Sequence, residues 1–301
     1  MINQLQTIDG RPALRIEQRL AHPLEKVWRA ITEPAHLSQW YPFQAKEIDL
    51  RVGGTIHFDD GRGTVMNAVI TALDPPHVFA FSEHAPAEMP RESDDLVHFE
   101  LRADGQGCLL IFTFIFDDRY AAASYASGWH MCLDALAMAL DGKPVELSSD
   151  INQMHEDYVK AFGLAGGSAE ETADGWRVRF ERQLTKPIDT VWAMLTASDA
   201  SAPVVGGRAP QGFITAEVPS GAITAVDAPI LLEYDWQSGD RTVGRVRWEL
   251  SNGTGHGARL VLTQTGPREL ADERTAALAA WKTHIERLAQ QLLGRSTMRE
   301  E

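Results

Sequence analysis

The residues with the most chemistry to offer are a histidine and a glutamate two positions apart, His98 and Glu100. That spacing puts both side chains on one face of a strand, where imidazole and carboxylate can act as acid and base near neutral pH. His57 lies in a second strand-like segment and His130 in a helical one. Gln18 falls on the apolar side of a third strand, where its amide would point into a cavity. The competing reading of each histidine is a surface or hydrogen-bonded side chain, the commoner fate of that residue. No nucleophile elbow, phosphate loop or metal-ligand spacing accompanies these residues. The two cysteines, Cys108 and Cys132, lack suitably placed histidines, so neither a metal nor a cofactor is expected. His98 and Glu100 are the catalytic candidates, and they make no recognisable constellation.

A second set offers binding rather than reaction. Trp40, Tyr41, Phe43, Phe58, Phe81, Phe99, Phe112, Phe114 and Trp129 are concentrated in the first half of the chain. Aromatic side chains dominate cores, and that is the plain reading of any one of them. As a set they are also what lines an apolar pocket, with a few polar groups to orient the ligand. The expected lining is Trp40, Tyr41, Phe43, Phe81, Phe112, Phe114 and Trp129, with Gln18, His57 and His98 as its polar members.

These residues need elements to position them. Trp129, Leu133, Leu136 and Leu140 recur at helical spacing within a helix expected from Ala121 to Asp141. Trp281, Ile285, Leu288 and Leu292 repeat that stripe from Asp272 to Gly294. Both helices end at a glycine, Gly142 and Gly294, where the backbone can turn left-handed. Ahead of each helix the period shifts to that of strands. Residues 13–20 alternate, Pro23 opens a helix carrying Leu24, Val27, Trp28 and Ile31, and several strands and turns follow, with a loop at 84–94.

The order then repeats. Arg15–Thr32 aligns with Arg179–Thr196 without a gap, sharing Arg15/Arg179, Glu17/Glu181, Pro23/Pro187 and Trp28/Trp192. Gly53-Gly54 answers to Gly206-Gly207, and Asp74-x-Pro76 to Asp227-x-Pro229. A series kept in one order is a tandem duplication. The offset falls from 164 at Arg15/Arg179 to 153 at Gly53/Gly206, a loss of 11 residues. That loss removes the counterpart of the Trp40-Tyr41-Pro42-Phe43 lip, and the sheet beyond it is expected to be kept. The organisation expected is a first domain over 1–164, a flexible linker over 165–174 rich in Gly, Ala and acid, and a trimmed second domain over 175–301.

Pro23-Leu24-Glu25-Lys26-Val27-Trp28, Leu37-Ser38-Gln39-Trp40, Val52-Gly53-Gly54 and Gly128-Trp129 with Leu133 and Leu136 carry a family resemblance. The chain resembles the helix-grip, START-like (SRPBCC, Bet v 1-like) superfamily. Within it, the chain is similar to the family named after the C-terminal domain of the activator of heat-shock protein 90 ATPase. The resemblance implies an α+β fold: two tandem domains, each a curved antiparallel sheet wrapped around a long C-terminal helix, with a cavity between. It also implies a small apolar ligand in the first domain. An enzyme of cyclase, hydrolase or isomerase type, or a protein-binding regulator, are the alternatives. The second copy departs from the pattern at the missing lip and at Ala280-Trp281.

Composition sets limits. The chain has 301 residues, and 28 Lys and Arg against 42 Asp and Glu give a formal charge of −14. That opposes general attraction to nucleic acid or anionic membranes. No apolar run is long enough to span a membrane, and no secretory signal opens the chain, so a cytoplasmic protein is expected. One strand is apolar on both faces: Leu110, Phe112, Phe114 and Phe116 on one, Leu109, Ile111 and Ile115 on the other. Its outer face is expected to be covered by the second domain or by a second chain.

Overall fold

The computed structural model describes residues 1–85, 91–146, 150–198, 201–254 and 257–294, apart from the side chain of Ile2. Residues 86–90 of the expected 84–94 loop therefore lie outside the described residues. The chain divides into two units, Met1–Ile151 and Asn152–Glu301.

The first unit runs β1 (Ile2–Ile8), β2 (Arg11–Leu20), α1 (Leu24–Thr32), α2 (Pro34–Leu37), β3 (Gln44–Ile48), β4 (Thr55–Asp59), β5 (Val65–Asp74), β6 (Val78–His84), β7 (Asp95–Asp104), β8 (Gly107–Ile115) and α3 (Ala122–Leu140). The strands form one 8-stranded antiparallel sheet, ordered β1-β2-β8-β7-β6-β5-β4-β3. Asp9 and Gly10, with φ of 49° and 82°, make the left-handed turn that joins β1 to β2. Along α3, Trp129, Leu133, Leu136 and Leu140 are buried as their spacing demands. The helix stops at Gly142, φ 68°, where the Lys143 amide reaches back to Met138 O at 3.0 Å and the Gly142 amide to Ala139 O at 3.0 Å.

Strand alternation decides what faces α3. Phe79 and Phe81 on β6, Val97, Phe99 and Leu101 on β7, and Leu110, Phe112 and Phe114 on β8 are all buried on the inner face. On the outer face the register sets Ile111 between Glu17 of β2 and Glu100 of β7, and Leu109 between Arg19 and Arg102. Long charged side chains thus flank the apolar outer stripe, and their methylene stems can shield it. Ile111 is only 3% exposed.

The second unit runs α4 (Ile151–Ala161), β9 (Ser168–Thr172), β10 (Gly175–Gln183), α5 (Ile188–Leu195), β11 (Ser220–Asp227), β12 (Leu231–Ser238), β13 (Arg241–Asn252), β14 (Ala258–Pro267) and α6 (Ala271–Gly294). Its 6-stranded sheet is ordered β11-β12-β13-β14-β10-β9. The stretch expected as a flexible linker holds β9, which pairs with β10 through the backbone and so needs no apolar pattern of its own. Helix α4 is tied to the second sheet by a buried pair: Arg182 Nη2 donates to both Glu156 carboxylate oxygens, at 2.6 and 2.7 Å.

The duplication is visible bond by bond. The Gly53 amide donates to Ile70 O and the Ile70 amide to Gly54 O, at 2.8 and 2.9 Å; Gly206, Ile223 and Gly207 repeat both bonds at the same lengths. Both Asp-x-Pro turns carry a cis X–Pro bond, at Pro76 and Pro229. One expectation fails. The sheet was not kept whole in the second copy: among the described residues no strand stands for β3, and of β4 only an isolated bridge, Arg208 with Ala222, remains. Residues 208–212 read Arg-Ala-Pro-Gln-Gly where β4 reads Thr-Ile-His-Phe-Asp. Pro210 has no amide hydrogen to offer a ladder, and a short 3-10 turn, Gln211–Phe213, forms instead.

Candidate functional site

In the first domain the inner face carries an aromatic basin closed at one end by acids. Tyr41 stacks on Phe58, ring centres 4.9 Å apart, and lies 5.5 Å from Trp129 and 6.2 Å from Phe81. Phe112 sits 4.5 Å from Trp129 and 5.1 Å from Phe99, and Phe114 lies 5.4 Å from Trp129. Trp40 anchors the lip, donating its indole N–H to Ala30 O at 2.9 Å. Phe43 is half-buried beyond it.

The acids follow the same alternation that buries the rings. Glu83 continues the Phe79–Phe81 parity of β6, and Asp95 opens the Val97–Phe99 parity of β7. The two are paired directly across the strands. Both are buried, at 5% and 1% exposure. The Tyr41 hydroxyl donates to Glu83 Oε1, and Arg91 Nη1 donates to Asp95 Oδ2. The Arg91 guanidinium bonds Asp95 and acts on Glu83 through its charge alone. Burial pushes the Glu83 carboxyl up to about 7, against the lowering effect of the Tyr41 bond. Burial also raises Asp95 to about 6, with Arg91 opposing it. Tyr41 is held well above the usual phenol range by burial and by the Glu83 charge. Burial lifts the Cys108 and Cys132 thiols to about 11 and about 12, so neither is a thiolate near neutrality.

Not every expected residue joins this basin. Tyr41, Phe81, Phe112, Phe114 and Trp129 meet in it, and Trp40 touches its edge. His98 and Glu100 do not. On β7 the inner face belongs to Val97, Phe99 and Leu101, so both point outward, and Glu100 accepts from Arg102 Nε at 2.7 Å. Burial lowers the His98 pKa, with Glu100 opposing. His57 is likewise outward, between inward Ile56 and Phe58, and bonds Asn67 at 2.8 Å. Gln18 keeps the inward parity, and its Oε1 is buried with no hydrogen-bond partner. It stands opposite Leu110 and so belongs to the far end of β8 from Glu83. His130 lies 3.4 Å from Asp134 on α3. Glu83, Asp95 and Arg91 were not singled out from sequence. The signal available was a carboxylate at the inward position of an alternating apolar strand.

The second domain treats the same region differently. Phe213, fully buried, packs 5.3 Å from Trp192 and 5.5 Å from Trp248, and Trp281 donates its indole N–H to Gln264 Oε1 at 2.6 Å. Gly266 leaves room for Trp176 and Trp236 to lie over the sheet, since a Cβ there would collide with both. Beside α6 two clefts of 470 and 750 Å³ adjoin, sharing Gln211, His284 and Arg287. The first domain has a smaller cleft of 150 Å³, between Trp40, Arg29 and Leu140.

This arrangement, a long C-terminal helix laid over a curved antiparallel sheet and found twice, defines the helix-grip, START-like class. Residues 21–141 match the family model described as Activator of Hsp90 ATPase homolog 1-like protein. Among solved structures, CalU16 from Micromonospora echinospora is similar at 23% identity over 54% of this chain and 94% of its own, TM-score 0.43. A conserved protein of unknown function from Enterococcus faecalis, EF2215, is similar at 17% identity over 53% of this chain and 89% of its own, TM-score 0.43. DynU16, from the dynemicin biosynthetic locus, is similar at 18% identity over 93% of this chain and 98% of its own, TM-score 0.40. No curated protein matches the chain. No helix among the described residues is long and apolar enough to cross a membrane.

Proposed function

We propose that the first domain binds a small, mostly apolar molecule in the aromatic basin, and that Tyr41 and Glu83 receive its single polar group. The observation that carries this is the Tyr41–Glu83 bond inside a ring cluster. A carboxyl there costs desolvation that a phenylalanine would avoid. Such a group earns its place by meeting a ligand. The rings touch one another, so the ligand enters by displacing Tyr41. That movement frees the Glu83 oxygen that Tyr41 occupies. Trp40 and Phe43 then close over the apolar body, which gains about 25 cal/mol per Å² removed from water. The proposed setting is the cytoplasm, in keeping with two free cysteines.

The test is titration of the intact chain with Nile red, a neutral apolar dye. Saturable, blue-shifted emission that weakens in Trp40→Ala and in Glu83→Gln supports the reading. Absence of saturable binding, or binding indifferent to both substitutions, overturns it. A second reading, acid–base catalysis on an apolar substrate, is favoured by one observation: a buried carboxyl that titrates near neutrality beside a phenol. It moves the catalytic candidates from His98 and Glu100 to Glu83 and Tyr41.

A further inference from the structure

The second domain has a site of its own, independent of the first-domain basin. It begins with His284 on α6, which is 5% exposed. Its Nε2 lies 2.8 Å from Gly212 O, and a carbonyl only accepts, so Nε2 carries the hydrogen. Nδ1 of the neutral ring is then an acceptor, and Arg287 Nη2 donates to it at 2.9 Å. The histidine thus fixes two things at once: the 3-10 turn that replaced the lost strands, and the direction of an exposed guanidinium one turn further along α6. Burial holds the His284 pKa below its ordinary value, with Arg287 adding to the effect and the Gly212 bond and Glu217 opposing it.

Arg287 stands where the two clefts meet. The 470 Å³ cleft has an apolar floor of Met194, Leu195 and Leu288, neutral polar walls that include Ser198 and Gln291, and no carboxylate among its described lining residues. In a chain of net charge −14, Arg287 sets a cation at the rim of this apolar hollow. The acid nearby, Glu217, lines the adjoining 750 Å³ cleft, and its carboxylate accepts from Thr215 Oγ1. The volume suits a small organic ligand. A guanidinium with N–H donors beyond the one spent on His284 suits a carboxylate.

We infer that the cleft between α5 and α6 of the second domain binds a small apolar carboxylate, its charged end on Arg287 and its hydrocarbon on Leu195 and Leu288. The 3-10 turn that stands in place of β4 supplies Gln211 and Gly212 to the wall of this cleft.

The test is calorimetric titration of the full chain with phenylbutyrate and with its neutral isostere phenylbutanol. The acid is expected to bind about tenfold more tightly, the worth of one charge-assisted pair. Arg287→Met should remove that preference. Arg287 is exposed, so the variant should fold, as circular dichroism will check. Ala197→Trp, at an exposed position on the cleft wall, probes the same hollow without touching the charge and should block both compounds. Equal binding of acid and alcohol, a preference that survives Arg287→Met, full binding in Ala197→Trp, or no binding of phenylbutyrate each overturns the inference.

Discussion

The two domains started from one pattern and now bury opposite chemistry at the same end of the fold. In the first, the lip and β3–β4 close the basin, and what is sealed inside is acid: Glu83 accepts from Tyr41 and Asp95 from Arg91, beside the ring cluster. In the second, a 3-10 turn stands in for those strands, Phe213 fills the interior, and the buried titratable group is a neutral histidine facing an arginine. The comparison teaches that the sheet and the long helix are the conserved frame, while the segment between α1 and the fifth strand decides what is enclosed. The second copy is 11 residues shorter between α5 and its double glycine, and its cleft is lined by Arg287 where the first copy encloses acids.

The largest effects test the frame. Trp129→Ala and Trp281→Ala each remove a buried indole from the helix–sheet contact and should cost ~3–5 kcal/mol. Hydrogen exchange read domain by domain should show the loss confined to the mutated half. A loss spread equally over both halves would break the picture of two separate frames. Nearly as large is Glu156→Gln, which leaves the Arg182 charge buried and poorly paired and should cost ~3–5 kcal/mol. Exchange should rise in the second domain, since α4 is tied to β10. A response in the first domain instead would reassign the helix and the boundary at Ile151.

The next effect separates the domains by pH. Glu83 titrates near 4.5 when unfolded and near 7 when folded. Below 4.5 both states hold the proton and nothing is lost. Between the two values the unfolded state releases its proton more readily, so stability falls as pH rises, and above about 7 the whole cost applies, about 3 kcal/mol. Asp95 acts in the same direction. Glu83→Gln should therefore stabilise the first domain at alkaline pH and do little in acid, which denaturant melts across pH will reveal. A Glu83→Gln protein no more stable than wild type in alkali would sink the account.

The smallest effect has the opposite sign. The folded pKa of His284 lies below its unfolded 6.5. Above that both states are neutral. As pH falls through 6.5 the unfolded state takes the proton first, and the second domain loses stability. His284→Gln should blunt that acid sensitivity; the two domains should otherwise drift apart in stability as pH moves either way from neutral.

Much of this was legible in the sequence because it rests on period. The helix stripes around Trp129 and Trp281, the repeated double glycine and the repeated Asp-x-Pro turn follow from spacing, which a chain carries without being folded. The strand parities were legible too. Val97, Phe99 and Leu101 are the apolar set of β7, and that already turns His98 and Glu100 outward. β1 and β3 were missed, and the linker was read as flexible where β9 forms, because edge strands need backbone partners more than apolar pattern. What only the tertiary structure decided is who meets whom. Tyr41 and Glu83 are 42 positions apart and His284 and Gly212 are 72 apart. No local rule relates them. They are brought together because α2 folds over the end of one sheet and the 3-10 turn folds over the end of the other. The low dielectric created by that enclosure then sets the protonation on which both proposed sites depend.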